Sequence, residues 1–130
     1  PAVTLAFATM ANQQFLIDTA ADNHFCTDRS IMSEYEALPV PIPVGTMGDS
    51  GPQAVGRGTV RLQTTAGVTL ELRHALHVPK GSFNLLSVPK LIGTDNEVSL
   101  QCGADGARLL KRGMVIAQGQ LKGGMFMLQG

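Results

Sequence analysis

Residues 15–21 read F-L-I-D-T-A-A, and the rest of the chain takes its meaning from them. Phe15, Leu16 and Ile17 form a short apolar run that ends on Asp18. Such a run, bounded by a polar turn, reads as a buried strand, here one that carries a single carboxylate to its end. Thr19 can hydrogen-bond locally and fix the turn. Ala20 and Ala21 are small enough to let another backbone approach the acid. The plainest alternative role for Asp18 is to cap its own turn, as Asp often does.

Upstream, Val3 to Thr9 is a strand candidate, followed by a turn at Ala11-Asn12. Downstream, Thr27, Asp28 and Ser30 are possible caps for a short helical turn between Thr27 and Tyr35. Pro39, Pro41 and Pro43 alternate through Leu38 to Val44, which suits an edge strand or extended connector and excludes a central strand. Gly45 to Gly58 holds five glycines and reads as a long mobile hairpin. Val60 and Leu62 alternate with Arg61 and Gln63, and Val68, Leu70 and Leu72 alternate with Thr69, Glu71 and Arg73. With a turn at Ala66-Gly67 between them, these segments predict a hairpin with one buried face. Asn84 to Val88 is a second short apolar run, and Pro89 to Ile92 predicts a helical turn ended by Gly93. Four more short strands are expected at Val98 to Leu100, Ala107 to Leu110, Met114 to Ala117 and Met125 to Leu128. The expected class is therefore all-β with one short helix.

The 130 residues suit one domain, and we read 1–130 as a single unit. With 44% hydrophobic residues the chain can build a modest core. Lys plus Arg equals Asp plus Glu, so no basic footprint points to nucleic acid as a partner. No stretch approaches the roughly 18 apolar residues of a membrane span, so no membrane partner is expected. The N-terminal apolar stretch lacks a basic flank, which argues against a signal peptide, and the absence of an initial Met suggests a fragment or processed product. Cys26 and Cys102 do not make a disulfide framework; they are expected to be reduced and buried, in an intracellular protein.

Three rival motifs compete with the Asp18 stretch. G-D-S-G-P at Gly48 to Pro52, with Thr19-Ala20-Ala21, His24 and Cys26, faintly echoes a serine protease. The echo lacks the second Gly of the oxyanion turn, and the chain is too short for two barrels. His74 and His77 are three apart, which on a strand points them to opposite faces, so no metal site is expected. His24 beside Cys26 could suggest a thiolate nucleophile, but a small buried Cys is the simpler reading.

The chain resembles the aspartic protease region of copia-type LTR retrotransposon polyproteins and, more distantly, the retroviral proteases. F-L-I-D-T-A-A-D-N-H at Phe15 to His24 is similar to the family's W-[IL]-L-D-S-G-A-S-D-H, with Ala20 where Gly is usual. V-G-R-G-T-V-R-L at Val55 to Leu62, L-H-V-P at Leu76 to Pro79 and F-N-L-L-S-V at Phe83 to Val88 follow in the family's order. The segments at Ile116 to Gly119 and Gly123 to Leu128 resemble its closing strands.

The resemblance implies a retropepsin-like closed β-barrel that works as a homodimer, with the active site on the two-fold axis. Asp18 would be the catalytic acid, one from each subunit. Thr19, Ala20 and Ala21 would support it, Thr19 by hydrogen bonding across the axis. Asp22 would bind the substrate backbone. Residues 45–58 would be a flap, with Met47, Gly48, Asp49, Ser50 and Gly51 meeting the substrate. Leu85-Leu86-Ser87 would pack behind the catalytic loop. The substrate would be the element's own polyprotein, and no cofactor or metal is implied. The alternatives are a catalytically silent domain of the same fold, serving dimerisation or peptide binding, and an unrelated small β domain.

Overall fold

The computed structural model describes residues 14–45 and 51–129. The strand expected at Val3 to Thr9, its turn at Ala11-Asn12, and Met47, Gly48, Asp49 and Ser50 lie outside the described residues. The described chain forms ten strands: β1 (Phe15–Asp18), β2 (Phe25–Cys26), β3 (Met32–Pro43), β4 (Gln53–Gln63), β5 (Thr69–His77), β6 (Asn84–Ser87), β7 (Val98–Gly103), β8 (Gly106–Lys111), β9 (Met114–Lys122) and β10 (Met125–Gln129). A 3-10 turn spans Arg29–Ile31, and one helix, α1, spans Val88–Thr94.

All ten strands belong to one sheet, in the order β3-β4-β5-β2-β6-β1-β10-β9-β8-β7. The pairs β1–β6 and β2–β5 are parallel and the others antiparallel. The sheet is not closed into a barrel, which corrects the expected closure: β3 and β7 are its two ends and do not pair. Pro39, Pro41 and Pro43 remove three N–H donors from β3, so this edge is a poor ladder for a closing strand. The sheet still wraps one core. Met32, Val60, Leu62, Leu70 and Leu72 from one half join Phe15, Ile17, Leu86, Leu91, Val98, Leu109 and Ala117 from the other in a single apolar cluster.

The alternation read at β4 and β5 is realised in the register Leu62↔Leu70 and Arg61↔Glu71. Leu62, Leu70 and Leu72 are buried, while Arg61 pairs with both Glu71 and Glu34 on the outer face. The 3-10 turn forms because the Asp28 side chain accepts the Ser30 N–H, a cap that leaves the turn short before β3 begins. Helix α1 begins at an N-cap serine, Ser87, with Pro89 in its first turn. It runs one residue past Gly93 and closes when Asp95 N–H donates to the Leu91 carbonyl.

The glycine-rich segment 45–58 is only partly a loop. Its second half enters β4, and Val44 N–H donates to the Pro52 carbonyl to close the β3–β4 hairpin near its tip. Gly56 is bare because the Tyr35 ring lies where a Cβ would project, and Gly58 because the Ser33 carbonyl lies 2.7 Å from that position. These glycines serve close packing, a use that glycine content alone does not distinguish from mobility. Cys26 is buried, as expected, but Cys102 is exposed on β7, since the sheet end leaves that strand uncovered. Both thiols are free.

Candidate active site

Asp18 stands at the C-terminal end of β1, between β6 and β10 near the middle of the sheet. Phe15, Leu16 and Ile17 are buried behind it, so the strand is anchored and its last residue emerges. Parallel pairing with β6 sets Leu16 beside Leu85, Ile17 beside Leu86 and Asp18 beside Ser87. Leu85-Leu86-Ser87 therefore lies directly against the strand that carries the acid.

After Asp18 the chain turns sharply. Asp18 Oδ1 accepts the N–H of Ala20 at 2.7 Å and of Ala21 at 3.0 Å. Thr19, Ala20 and Asp22 are exposed and Asp18 is half-buried, so this loop presents its acid outward. The described residues of positive φ other than glycine are Glu34, His74 and Arg112. Ala20 is not among them, so its backbone does not require the Gly usual in the motif.

The loop is tied down from beneath by β6 and α1. The Ser87 hydroxyl donates to the Ala21 carbonyl at 2.5 Å and accepts the Lys90 N–H at 3.1 Å. Ser87 N–H donates to His24 Nδ1 at 2.9 Å, and Leu76 N–H donates to the His24 carbonyl at 2.8 Å. Lys90 Nζ donates to Asn23 Oδ1 and to the His74 carbonyl. Burial, helped by the charge of Arg57, lowers the Lys90 pKa. Burial, helped by the charge of Lys90, lowers that of His24 to about 4. Asn84, at the start of β6, accepts the Thr27 N–H and hydroxyl and donates to the Gln14 carbonyl, fixing the entrance to β1.

The structure thus brings Asp18, Thr19, Ala20, Ala21 and Asp22 onto one loop. Gly51 sits instead at the tip of the β3–β4 hairpin, and Met47 to Ser50 lie outside the described residues. The supports His24 and Lys90 were missed as such by sequence reasoning. The only signal for His24 was its place as the last residue of the D-T-A-A-D-N-H motif. The thiolate alternative finds no support: burial pushes the Cys26 thiol up to about 11. His74 is exposed and His77 buried, as their spacing predicted, and His77 is engaged by the Tyr35 hydroxyl at 2.8 Å. Among the described residues no group of three His, Cys, Asp or Glu side chains could hold a metal.

The family described as Pol polyprotein, beta-barrel domain, matches residues 15–96, a span from β1 through α1 that contains Asp18 and its supports. The chain belongs to this family. It is accordingly a region of a retroelement Pol polyprotein. The matched span includes both parallel pairings that build the Asp18 loop, whereas the β7–β10 meander lies beyond it. No curated protein was found to match the sequence.

Proposed function

We propose that this Pol domain is an aspartic endopeptidase that acts as a homodimer on its own polyprotein. The observation that carries the reading is the Asp18 loop: one carboxylate at the end of a buried central strand, open to solvent and braced by Ser87. The chain has a single D-T-A-A, so the second carboxylate comes from a two-fold related copy. Two carboxyls about 3 Å apart cannot both ionise, and the pair shares one proton. The ionised member takes a proton from a bound water while the protonated member polarises the scissile carbonyl. Thr19 hydrogen-bonds across the axis, Ala20 and Ala21 line the loop, and Asp22 holds the substrate backbone. Residues 45–58, after β3 and through the first part of β4, serve as a flap over an extended peptide, with Met47, Gly48, Asp49, Ser50 and Gly51 meeting the substrate. The chemistry needs no cofactor, nucleic acid or membrane, and processing takes place inside the cell.

The ordinary backbone at Ala20 supports this reading, because the departure from Gly costs no strain. The expected pH dependence is a bell, since activity is lost when the dyad gains or loses its one proton. A rate that climbs steadily through about pH 9 contradicts the dyad.

One observation favours a second reading, a catalytically silent domain for dimerisation or peptide binding. Asp18 Oδ1 already accepts two loop amides within its own chain, which is what a turn-capping Asp does. The test is peptide cleavage by the purified dimer and by Asp18→Asn. Cleavage lost in D18N with the dimer intact supports the enzyme; a folded, dimeric native chain that cleaves nothing supports the silent module.

A further inference from the structure

The His24 ring is joined to the Asp18 loop through Ser87. Ser87 N–H points at Nδ1, so Nδ1 carries the lone pair and the proton of the neutral ring sits on Nε2. The same serine, through its hydroxyl, holds the Ala21 carbonyl, and Ala21 N–H in turn holds Asp18 Oδ1. A chain of bonds therefore runs from His24 to the acid. It depends on an acceptor at Nδ1, and a proton added there turns the acceptor into a donor facing a donor. We propose that His24 is a positioning residue that locks the Asp18 loop through Ser87 while its ring is neutral and releases it when the ring is protonated. The proposal rests on the reading of that loop as the functional one, but its test does not use cleavage.

The surroundings of the ring favour the neutral form. His24 is only 2% exposed. From α1 it faces the Lys90 ammonium, which opposes a second positive charge. The residues of β6, Asn84 to Ser87, offer no titratable side chain. Cys26 of β2 is held neutral by burial. On β5 the nearest titratable residue to the Leu76 contact is His77, whose ring is engaged by Tyr35, and His74 presents its carbonyl to Lys90. On the loop itself Asp22 is exposed, and Asp18 is half-buried with its Oδ1 held by the Ala20 and Ala21 amides. Burial and Lys90 together bring the midpoint to about 4, so the lock holds through most of the acid range and opens at its lower end.

The test is NMR of the intact chain over an acid titration, with His24→Asn as the comparison. Asn places Oδ1 where His places Nδ1 and cannot titrate there, so H24N keeps the acceptor. The native His24 ring and the Ser87 amide are expected to shift together with one midpoint near 4. About one pH unit below that midpoint, protection of the Ala21 amide against exchange is expected to fall roughly tenfold relative to H24N, following the fraction of neutral ring. Asp18, the acceptor of the Ala21 amide, is present in both proteins and so cancels in the comparison. A Ser87 amide that ignores the His24 titration overturns the proposal, as does equal loss of protection in H24N. If H24N does not fold, the coincidence or separation of the His24 and Ser87 midpoints in the native chain decides alone.

Discussion

The Ser87 hydroxyl donates to the Ala21 carbonyl at 2.5 Å and so joins two segments 66 residues apart. The same oxygen caps α1 by accepting the Lys90 N–H. One fully buried side chain thus fixes both the loop after Asp18 and the start of the helix behind it.

Ser87→Ala removes both bonds and leaves the Ala21 carbonyl without its serine partner. The expected loss is about 1–3 kcal/mol in urea unfolding. The loop should suffer more than the core, so protection of the Ala21 amide should fall further than that of the β4–β5 hairpin. Uniform loss across both regions contradicts the assignment of Ser87 to the loop.

Acid should weaken the fold through its buried histidines. His24 has a folded pKa of about 4 against an ordinary 6.5, so the unfolded chain takes up the proton first. Its contribution is complete above about pH 6.5 and declines as the pH falls toward 4, by on the order of 3 kcal/mol. His77, whose pKa is lowered by burial and by Arg29, acts in the same sense. Urea unfolding at pH 7 and at about pH 4.5 measures the effect, and H24N should flatten the slope while leaving the His77 part. A native chain equally stable at both values contradicts the buried, neutral His24.

The base of the β3–β4 hairpin is held by a wedge. The Tyr35 ring lies against Gly56, meets His77 edge-on at 5.5 Å and carries the Arg29 guanidinium 3.8 Å above its centre. Gly56→Ala must displace the ring and break the Tyr35–His77 bond, at an expected cost of about 1–3 kcal/mol. Adding Tyr35→Ala should recover part of that cost, since the clash disappears. Strict additivity of the two substitutions in thermal unfolding contradicts the wedge.

Asn84→Ala should be among the more damaging single changes outside the apolar core. It removes the acceptor of the Thr27 N–H and hydroxyl and the donor to the Gln14 carbonyl. A loss of about 1–3 kcal/mol is expected from three part-buried hydrogen bonds removed together. A midpoint of denaturation unchanged from the native chain contradicts that role.

Much of this fold is legible in the sequence because its signals are local. The alternation at Val60 and Leu62 against Leu70 and Leu72 gives the hairpin, and the apolar run at Phe15 to Ile17 gives the strand that ends on Asp18. Alternating prolines mark β3 as an edge, and β3 is one. The unclosed sheet is not legible, because closure depends on whether two end strands meet, and neither carries a mark of the other. The glycines at 56 and 58 mislead for a similar reason: what they accommodate, Tyr35 and the Ser33 carbonyl, lies on a neighbouring strand. Of the site, the acid and its turn can be read from D-T-A-A. The support by His24 cannot, since it exists only once β6 is laid parallel to β1.

The most direct measurement is self-processing of the chain extended into its flanking polyprotein, native against Asp18→Asn. An aspartic protease predicts cleavage by the native chain and none by D18N, with both proteins folded and dimeric. Cleavage that persists in D18N, or a folded native dimer that leaves the polyprotein whole, contradicts it.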